Sequence, residues 1–264
     1  MLKLATWNVN SIKARLANVC DWLVASAPDV VLLQETKTTD EAFPRSTFEE
    51  LGYTVETHGQ KSYNGVAILA KFPLIDVCAG LPGDAGDEQA RYLEAWVDAG
   101  DDGVRVASLY LPNGNPTVSP KFAYKLAWME RLARHVGDIF AREEPAVLGG
   151  DFNVIPRDED CADPAAWAED ALARPETRAR FRTLVYAGYT EAWRALHPDD
   201  SHAYSYWDYQ GGAWQRDQGV RIDHLLLTPQ AADRLAACEI DKSPRGAPKA
   251  SDHTPVWCEL EIGV

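Results

Sequence analysis

The feature that most constrains the fold is a repeated pairing of a short apolar run with a polar island. The run Leu2-Lys3-Leu4-Ala5-Thr6-Trp7 meets Asn8-Val9-Asn10, and Val30-Val31-Leu32-Leu33 meets Gln34-Glu35-Thr36. Val147-Leu148-Gly149-Gly150 likewise stops at Asp151-Phe152-Asn153, and two later islands are Arg221-Ile222-Asp223 and Ser251-Asp252-His253-Thr254. Apolar runs of this length suit strands buried in a sheet. Polar side chains at their ends can be aimed into one cleft by a rigid scaffold.

Strand-length runs fall at 2–8, 29–34, 65–70, 92–97, 104–110, 146–151, 222–227 and 256–262. Between them, helices are predicted at 12–26, 41–51, 120–142, 178–187 and 229–236. The longest carries Phe122, Leu126, Met129, Leu132, Val136, Ile139 and Phe140 at three- and four-residue steps, the stripe a buried face requires. Ser119-Pro120 supplies its N-cap and a first-turn proline. The short connection from 92–97 to 104–110 predicts a hairpin, so the sheets should be mixed. The expected fold class is α/β, a four-layer αββα sandwich of two packed mixed β-sheets with helices outside. No Gly/Ser linker divides the 264 residues, so one domain over 1–264 is expected.

No apolar run approaches the roughly 18 residues of a membrane span, and the N-terminus lacks a signal-peptide pattern. The five cysteines are odd in number and have no close-paired spacing, which favours reduced thiols and a cytoplasmic, membrane-free protein. A net charge of −14 argues against a broad surface for coating polyanions. The acid is uneven: residues 84–102 hold seven Asp/Glu against Arg91 alone, and 158–170 hold six without Lys or Arg. Both stretches read as solvated loops. DNA could still be held by a local basic rim, with modest, salt-sensitive affinity.

The islands carry the chemistry. A carboxylate such as Glu35 at the end of a buried strand costs several kcal/mol unless it is paired, hydrogen-bonded or bound to a cation. With Asn8 and Asn10 it suggests a hard-oxygen site for Mg2+, or for Mn2+ as a substitute. In Gly150-Asp151-Phe152-Asn153, acid and carboxamide two residues apart share a side if the chain stays extended. The acid can orient water or protonate a leaving oxygen, and the amide can donate to a phosphoryl oxygen. Asp223 and His253 suit a carboxylate–imidazole pair, in which the acid fixes the tautomer and stabilises the cation. His224 should face the other way and be structural. Tyr110 can donate to a phosphate, and the turn after it offers Asn113 to a backbone phosphate. Taken singly, each island also fits an ordinary cap, turn or ion pair.

In this order the islands resemble the exonuclease III family of DNA-repair nucleases, within the wider endonuclease/exonuclease/phosphatase superfamily. The likeness runs from Trp7-Asn8-Val9-Asn10-Ser11-Ile12-Lys13-Ala14-Arg15 through Leu33-Gln34-Glu35-Thr36-Lys37 and Asn64-Gly65-Val66-Ala67-Ile68. It continues through Tyr110, Gly150-Asp151-Phe152-Asn153, Trp207-Asp208-Tyr209, Arg221-Ile222-Asp223 and Ser251-Asp252-His253-Thr254-Pro255-Val256. The resemblance implies divalent-metal-dependent cleavage of double-stranded DNA: incision at abasic sites, 3′→5′ exonuclease action and removal of blocked 3′ ends, by a monomer. It also implies that Glu35 is the main metal ligand, with Asn8, Asp151 and Asp252 completing the cluster. Asp151 would serve water or the leaving oxygen, Asn153 and Tyr110 would steady the phosphate, and Asp223 would orient His253. Tyr206, Trp207, Val220 and Ile222 would form a pocket for a baseless sugar, and Arg91 and Asn113 would touch the DNA backbone. Asn10 stands where some relatives carry Asp, and the loop at 112–115 lacks the bulky or basic wedge of others. The competing readings are a phosphatase of the same superfamily acting on a small or lipid phosphoester, and a non-catalytic DNA-binding or scaffold protein.

Overall fold

The computed structural model describes residues 1–100 and 102–263. One six-stranded sheet contains β1 (Leu2–Asn8), β2 (Val30–Gln34), β3 (Thr54–His58), β4 (Val66–Ala70), β11 (Leu235–Ile240) and β12 (Val256–Leu260), in the order β11-β12-β1-β2-β4-β3. The other contains β5 (Leu74–Ala79), β6 (Tyr92–Asp98), β7 (Gly103–Tyr110), β8 (Ala146–Asp151), β9 (Thr190–Glu191) and β10 (Asp223–Leu227), in the order β5-β6-β7-β8-β10-β9. Each sheet has one parallel pair at its centre, β1 with β2 and β7 with β8; the remaining neighbours are antiparallel.

Helices α1 (Leu16–Ser26) and α2 (Arg45–Glu50) bring Trp22, Leu23 and Phe48 onto the outward face of the first sheet. Helices α3 (Pro120–Phe140) and α5 (Pro175–Tyr186) cover the second with Trp128, Met129, Leu132 and Phe181. Three short helices, α4 (Pro164–Trp167), α6 (Ala192–Leu196) and α7 (Pro229–Ala232), lie in the connections. The result is the expected four-layer αββα sandwich.

Alternation along each strand explains why the site lies where it does. Leu2 and Leu4 of β1, Val30 and Leu32 of β2, Val104 and Val106 of β7, Val147 of β8, and Leu225 and Leu227 of β10 share one inter-sheet core. Two to four residues further toward the same end, the series turns polar: Thr6 and Asn8, Gln34, Ser108 and Tyr110, Asp151, and Asp223. Gln34 donates through Nε2 to Thr6 Oγ1 and Ser108 Oγ, both at 3.1 Å, forming a polar layer above the apolar one. Gly149 keeps the sheets close at this level, since a Cβ there would lie 2.7 Å from a Leu32 methyl and 2.8 Å from one of Leu225.

Several expected elements are redrawn. The predicted helix at 41–51 is interrupted by Pro44, which lacks an N–H; a 3-10 turn at Asp40–Ala42 precedes α2. The segment 229–236 is helical only to Ala232, after which β11 adds to the sheet edge through Cys238 opposite Cys258. Strands β3 and β5 were not expected; most of β5 is exposed, so it has no buried alternation to reveal it. In α3 the buried face is rotated from the predicted stripe. It includes Lys125, Arg131 and His135, whereas Phe122 and Leu126 are only half-buried and Phe140 is exposed.

The acidic stretches are not simply solvated loops. Asp87 pairs with Arg131, Glu94 with Arg105 at 3.1 Å, and buried Asp160 with Arg221 at 2.9 Å and Arg194 at 2.7 Å. Asp101 lies outside the described residues. All five cysteines are free thiols. Among the described residues no helix is long and apolar enough to cross a membrane.

Candidate active site

The centre of the site is Asn8, fully buried at the end of β1. Its Nδ2 donates to Glu35 Oε1 at 2.8 Å and to Asp151 Oδ2 at 3.0 Å, so one amide ties the first sheet's carboxylate to the second's. Its Oδ1 accepts the backbone N–H of Asn10 at 3.0 Å. Asn10 (φ 45°) and Ser11 (φ 88°) occupy the left-handed region and turn the chain sharply after β1. Glu35 also has a positive φ of 51°, and Lys37 lies 2.7 Å from its Oε2. Burial pushes the Glu35 carboxyl upward, but Lys37 and the Asn8 hydrogen bond outweigh it and hold the group below the usual range.

Asp151 sits opposite Asp223 where β8 pairs with β10. Its Oδ1 accepts the Asn153 N–H at 2.8 Å, and His253 Nε2 stands 3.7 Å from its Oδ2. Burial and repulsion from Asp223 and Glu35 together push its carboxyl up to about 7, against the pull of His253. His253 Nδ1 bonds Asp223 Oδ2 at 2.8 Å. Burial opposes charge on this imidazole, yet Asp223 and Asp151 overcome it and raise it to about 10. Its two acidic neighbours favour the imidazolium, with Nε2 turned toward Asp151. Ser205, which the sequence reading missed, donates to Asp223 Oδ2 at 2.6 Å and holds that carboxylate from behind.

Glu35 and His253 line a cleft of about 320 Å³, with Asn8, Asp151, Asp223 and Ser205 buried behind its wall. Of the expected residues, Glu35, Asn113, Asn153, Tyr206, Ile222, Asp252 and His253 line it. Asp252 accepts from Asn10 Nδ2 at 3.1 Å. The Tyr206 ring meets His253 edge-on at 4.9 Å. The Tyr110 phenol is pushed far above its ordinary range by burial, then by Glu35 and Asp151, and so remains a neutral donor. Three expected substrate contacts fall elsewhere. Arg91 lies over the Tyr110 ring at 4.8 Å and donates to the Tyr110 carbonyl at 3.2 Å. Trp207 is fully buried, donating to Asp217 at 2.9 Å, and Val220 packs in a small core with Ile155 and Cys161. Neither lines the cleft, because neighbouring residues in these segments face opposite ways. His224 faces away from the cleft, against Phe152 and Phe181, with Nε2 3.0 Å from the Val154 carbonyl.

The sequence also gave no hint of Lys125. Fully buried, it donates through Nζ to the carbonyls of Asn153 at 2.6 Å and Asn113 at 3.0 Å. Burial lowers its ammonium to about 7, partly offset by Asp151 and Asp170. Asn113 in turn donates to Asn153 Oδ1 at 3.0 Å, and Asn153 Nδ2 to the Leu111 carbonyl at 2.9 Å. Trp167, Asp170 and Leu172 form another wall, fastened by Asn115 Nδ2 to both oxygens of Asp170 at 3.0 Å.

Glu35, Asp151 and His253 each bring a ligand-type atom within 4.8 Å of the others. With His253 cationic, the usable donors are carboxylate oxygens, the hard set that Mg2+-like ions prefer. Asp151, pushed up by burial and then by Asp223 and Glu35, and Asp223 Oδ1, buried without a partner, both mark a shortage of positive charge here. The residues fit a divalent cation.

Among the described residues no serine or cysteine lines the cleft, which favours attack by water. An imidazolium beside a cation-holding pair of acids suits an anionic substrate, and the fold and site together define a metal-dependent phosphoester hydrolase. The chain belongs to the Endonuclease/Exonuclease/phosphatase family, whose profile matches residues 5–253. It is 31% identical to exodeoxyribonuclease III of Haemophilus influenzae, across 98% of this chain and 100% of that protein. A 3′ phosphatase from Neisseria bound to a product DNA hairpin superimposes with a TM-score of 0.95 at 39% identity, covering 99% of this chain and 100% of that one. An AP endonuclease from Archaeoglobus fulgidus gives a TM-score of 0.93 at 36% identity, with coverage of 99% and 100%.

Proposed function

We propose that this protein is a DNA-repair nuclease that hydrolyses phosphodiesters at abasic sites and trims recessed or blocked 3′ ends, using Mg2+ with Mn2+ as a substitute. The observation that carries this reading is the meeting of Glu35, Asp151 and His253 within 4.8 Å, beside a cleft walled by Tyr206 and Ile222. Glu35 and Asp151 would hold the Mg2+, which would supply positive charge against the scissile phosphate. Asn8 keeps both carboxylates turned inward. His253, cationic and held by Asp223, donates to a non-bridging oxygen as charge develops there. Tyr110 and the remaining amide hydrogen of Asn153 donate to the same group. Asp151, beside His253 and next to the position of an attacking water, takes the proton of that water or returns one to the leaving oxygen. The wall of Tyr206, Ile222, Trp167 and Leu172 fits an extruded sugar without its base, whose unstacking costs least.

The test compares an abasic duplex, an undamaged recessed 3′ end and a 3′-phosphate end, with Mg2+ and then with chelator. All three should be processed, and chelator should stop each reaction. His253→Ala should lose about 10²–10³ in kcat, as expected for removal of a transition-state donor. Asp151→Asn should lose at least as much, with the fold retained by circular dichroism. Faster turnover of a soluble phosphomonoester than of any DNA would instead favour a small-molecule phosphatase.

A further inference from the structure

A second cavity, of about 460 Å³, opens beside α5 and β9 and shares no lining residue with the catalytic cleft. Phe181 and Tyr189, each 3% exposed, belong to its apolar lining, and the ring of Tyr186 stands 80% exposed at its side. Four arginines also line it. Two are satisfied internally: Arg221 by Glu191 at 2.7 Å and by Asp160, and Arg194 by Asp160. The other two, Arg157 and Arg182, are exposed and have no carboxylate within 4.0 Å among the described residues. Arg194 Nε is buried without a hydrogen-bond partner. A chain of net charge −14 thus keeps a cavity whose buried acids are already matched and whose exposed cations are not.

We propose that this cavity docks an acidic peptide segment of a partner protein, inserting one aromatic or large apolar side chain. The apolar part would lie against Phe181, Val185 and Tyr186, and its carboxylates would meet Arg157 and Arg182, whose planar forks suit bidentate pairing. Duplex DNA is the less suitable occupant: its backbone has charge but no side chain for the apolar wall. The overall negative charge of this protein repels acidic partners elsewhere, so the cavity provides location as well as affinity.

The probe is a fluorescein-labelled peptide of four aspartates ending in phenylalanine, titrated with the whole protein by fluorescence anisotropy in chelator. Saturable binding is expected, with at least tenfold weakening in Arg182→Glu and in Tyr186→Ala, and likewise when the terminal phenylalanine is replaced by alanine. Lys61→Glu, the same charge change at an exposed residue away from the cavity lining, should bind as the parent does. Nuclease turnover should be unchanged in all three variants. No saturation up to about 1 mM, equal binding by Arg182→Glu and the parent, or stoichiometric displacement of the peptide by an unlabelled DNA duplex would each overturn the proposal. The last outcome would assign the cavity to DNA.

Discussion

A lysine shut away from water must find acceptors inside the protein, and Lys125 finds them on the carbonyls of the two loops that present Asn113 and Asn153. Removing it strands the buried Asn153 carbonyl at about 1–3 kcal/mol, releases the part-buried Asn113 carbonyl and frees both loops to drift. Displacement of a catalytic group by an ångström can cost about 10² in rate. Lys125→Met is therefore expected to lower the melting temperature and to reduce kcat by roughly ten- to a hundredfold with little change in KM. Steady-state kinetics on a 3′-phosphate duplex, below the variant's melting range, measures this; an unchanged kcat would leave Lys125 a purely structural residue. Its contribution was illegible in the sequence because it depends on which carbonyls face it, and a lysine on a long helix reads as solvated. Glu35, Asp151 and Asp223 were easier to single out, since an acid ending an apolar run demands a partner wherever the chain goes. Ser205 gave no such signal: its role exists only because Asp223 lies beside it.

At the scale of elements, one buried ionic knot joins β9, β10, α6 and the segment after β8. Arg221 bridges Asp160 and Glu191, and Arg194 returns to Asp160. Burial would raise the Glu191 carboxyl, but Arg221, His224 and the Arg194 N–H bring it down to about 2. A depressed carboxyl adds stability that is complete above its unfolded value near 4.5 and disappears as pH falls toward 2. Glu191→Gln, which strands part of the Arg221 charge, should cost roughly 3–5 kcal/mol at pH 7. The gap between parent and variant, followed by urea unfolding, should narrow between about pH 5 and pH 2; a gap independent of pH would contradict the ion-pair account. None of this knot could be located beforehand, since its members are far apart in the chain and carry no periodicity. Strong periodicity did give the central strands and α3. It failed for β5, which is mostly exposed, and for β11, whose pairing with β12 overrides a helical start.

For the whole molecule, net charge alone misstates the field that a polyanion would meet. Asp87, Glu94 and Asp160 are neutralised by arginines inside the fold, which removes part of the expected repulsion. Beside the cleft runs a groove lined by Arg15, Tyr209, Arg245 and Lys249, joined to the site where Arg15 donates to the Asn10 carbonyl at 2.6 Å. Exposed Lys13 and Lys249 are the cations here with the freest access to a phosphate backbone. Acids beyond about 8 Å are largely screened at physiological salt, so this rim, and not the total of −14, should govern DNA binding. Contact with about three phosphates predicts that log K falls with log salt at a slope on the order of −3. Lys249→Ala should weaken binding similarly on any duplex sequence and make the slope shallower by about one, with kcat at saturating DNA preserved. Neutralising the remote exposed acid Asp76 should alter neither slope nor affinity by a comparable amount. Anisotropy titrations of a labelled duplex in chelator, from about 50 to 200 mM salt, separate the two accounts. If Asp76→Asn changes binding as much as Lys249→Ala does, long-range repulsion governs the encounter and the local rim does not.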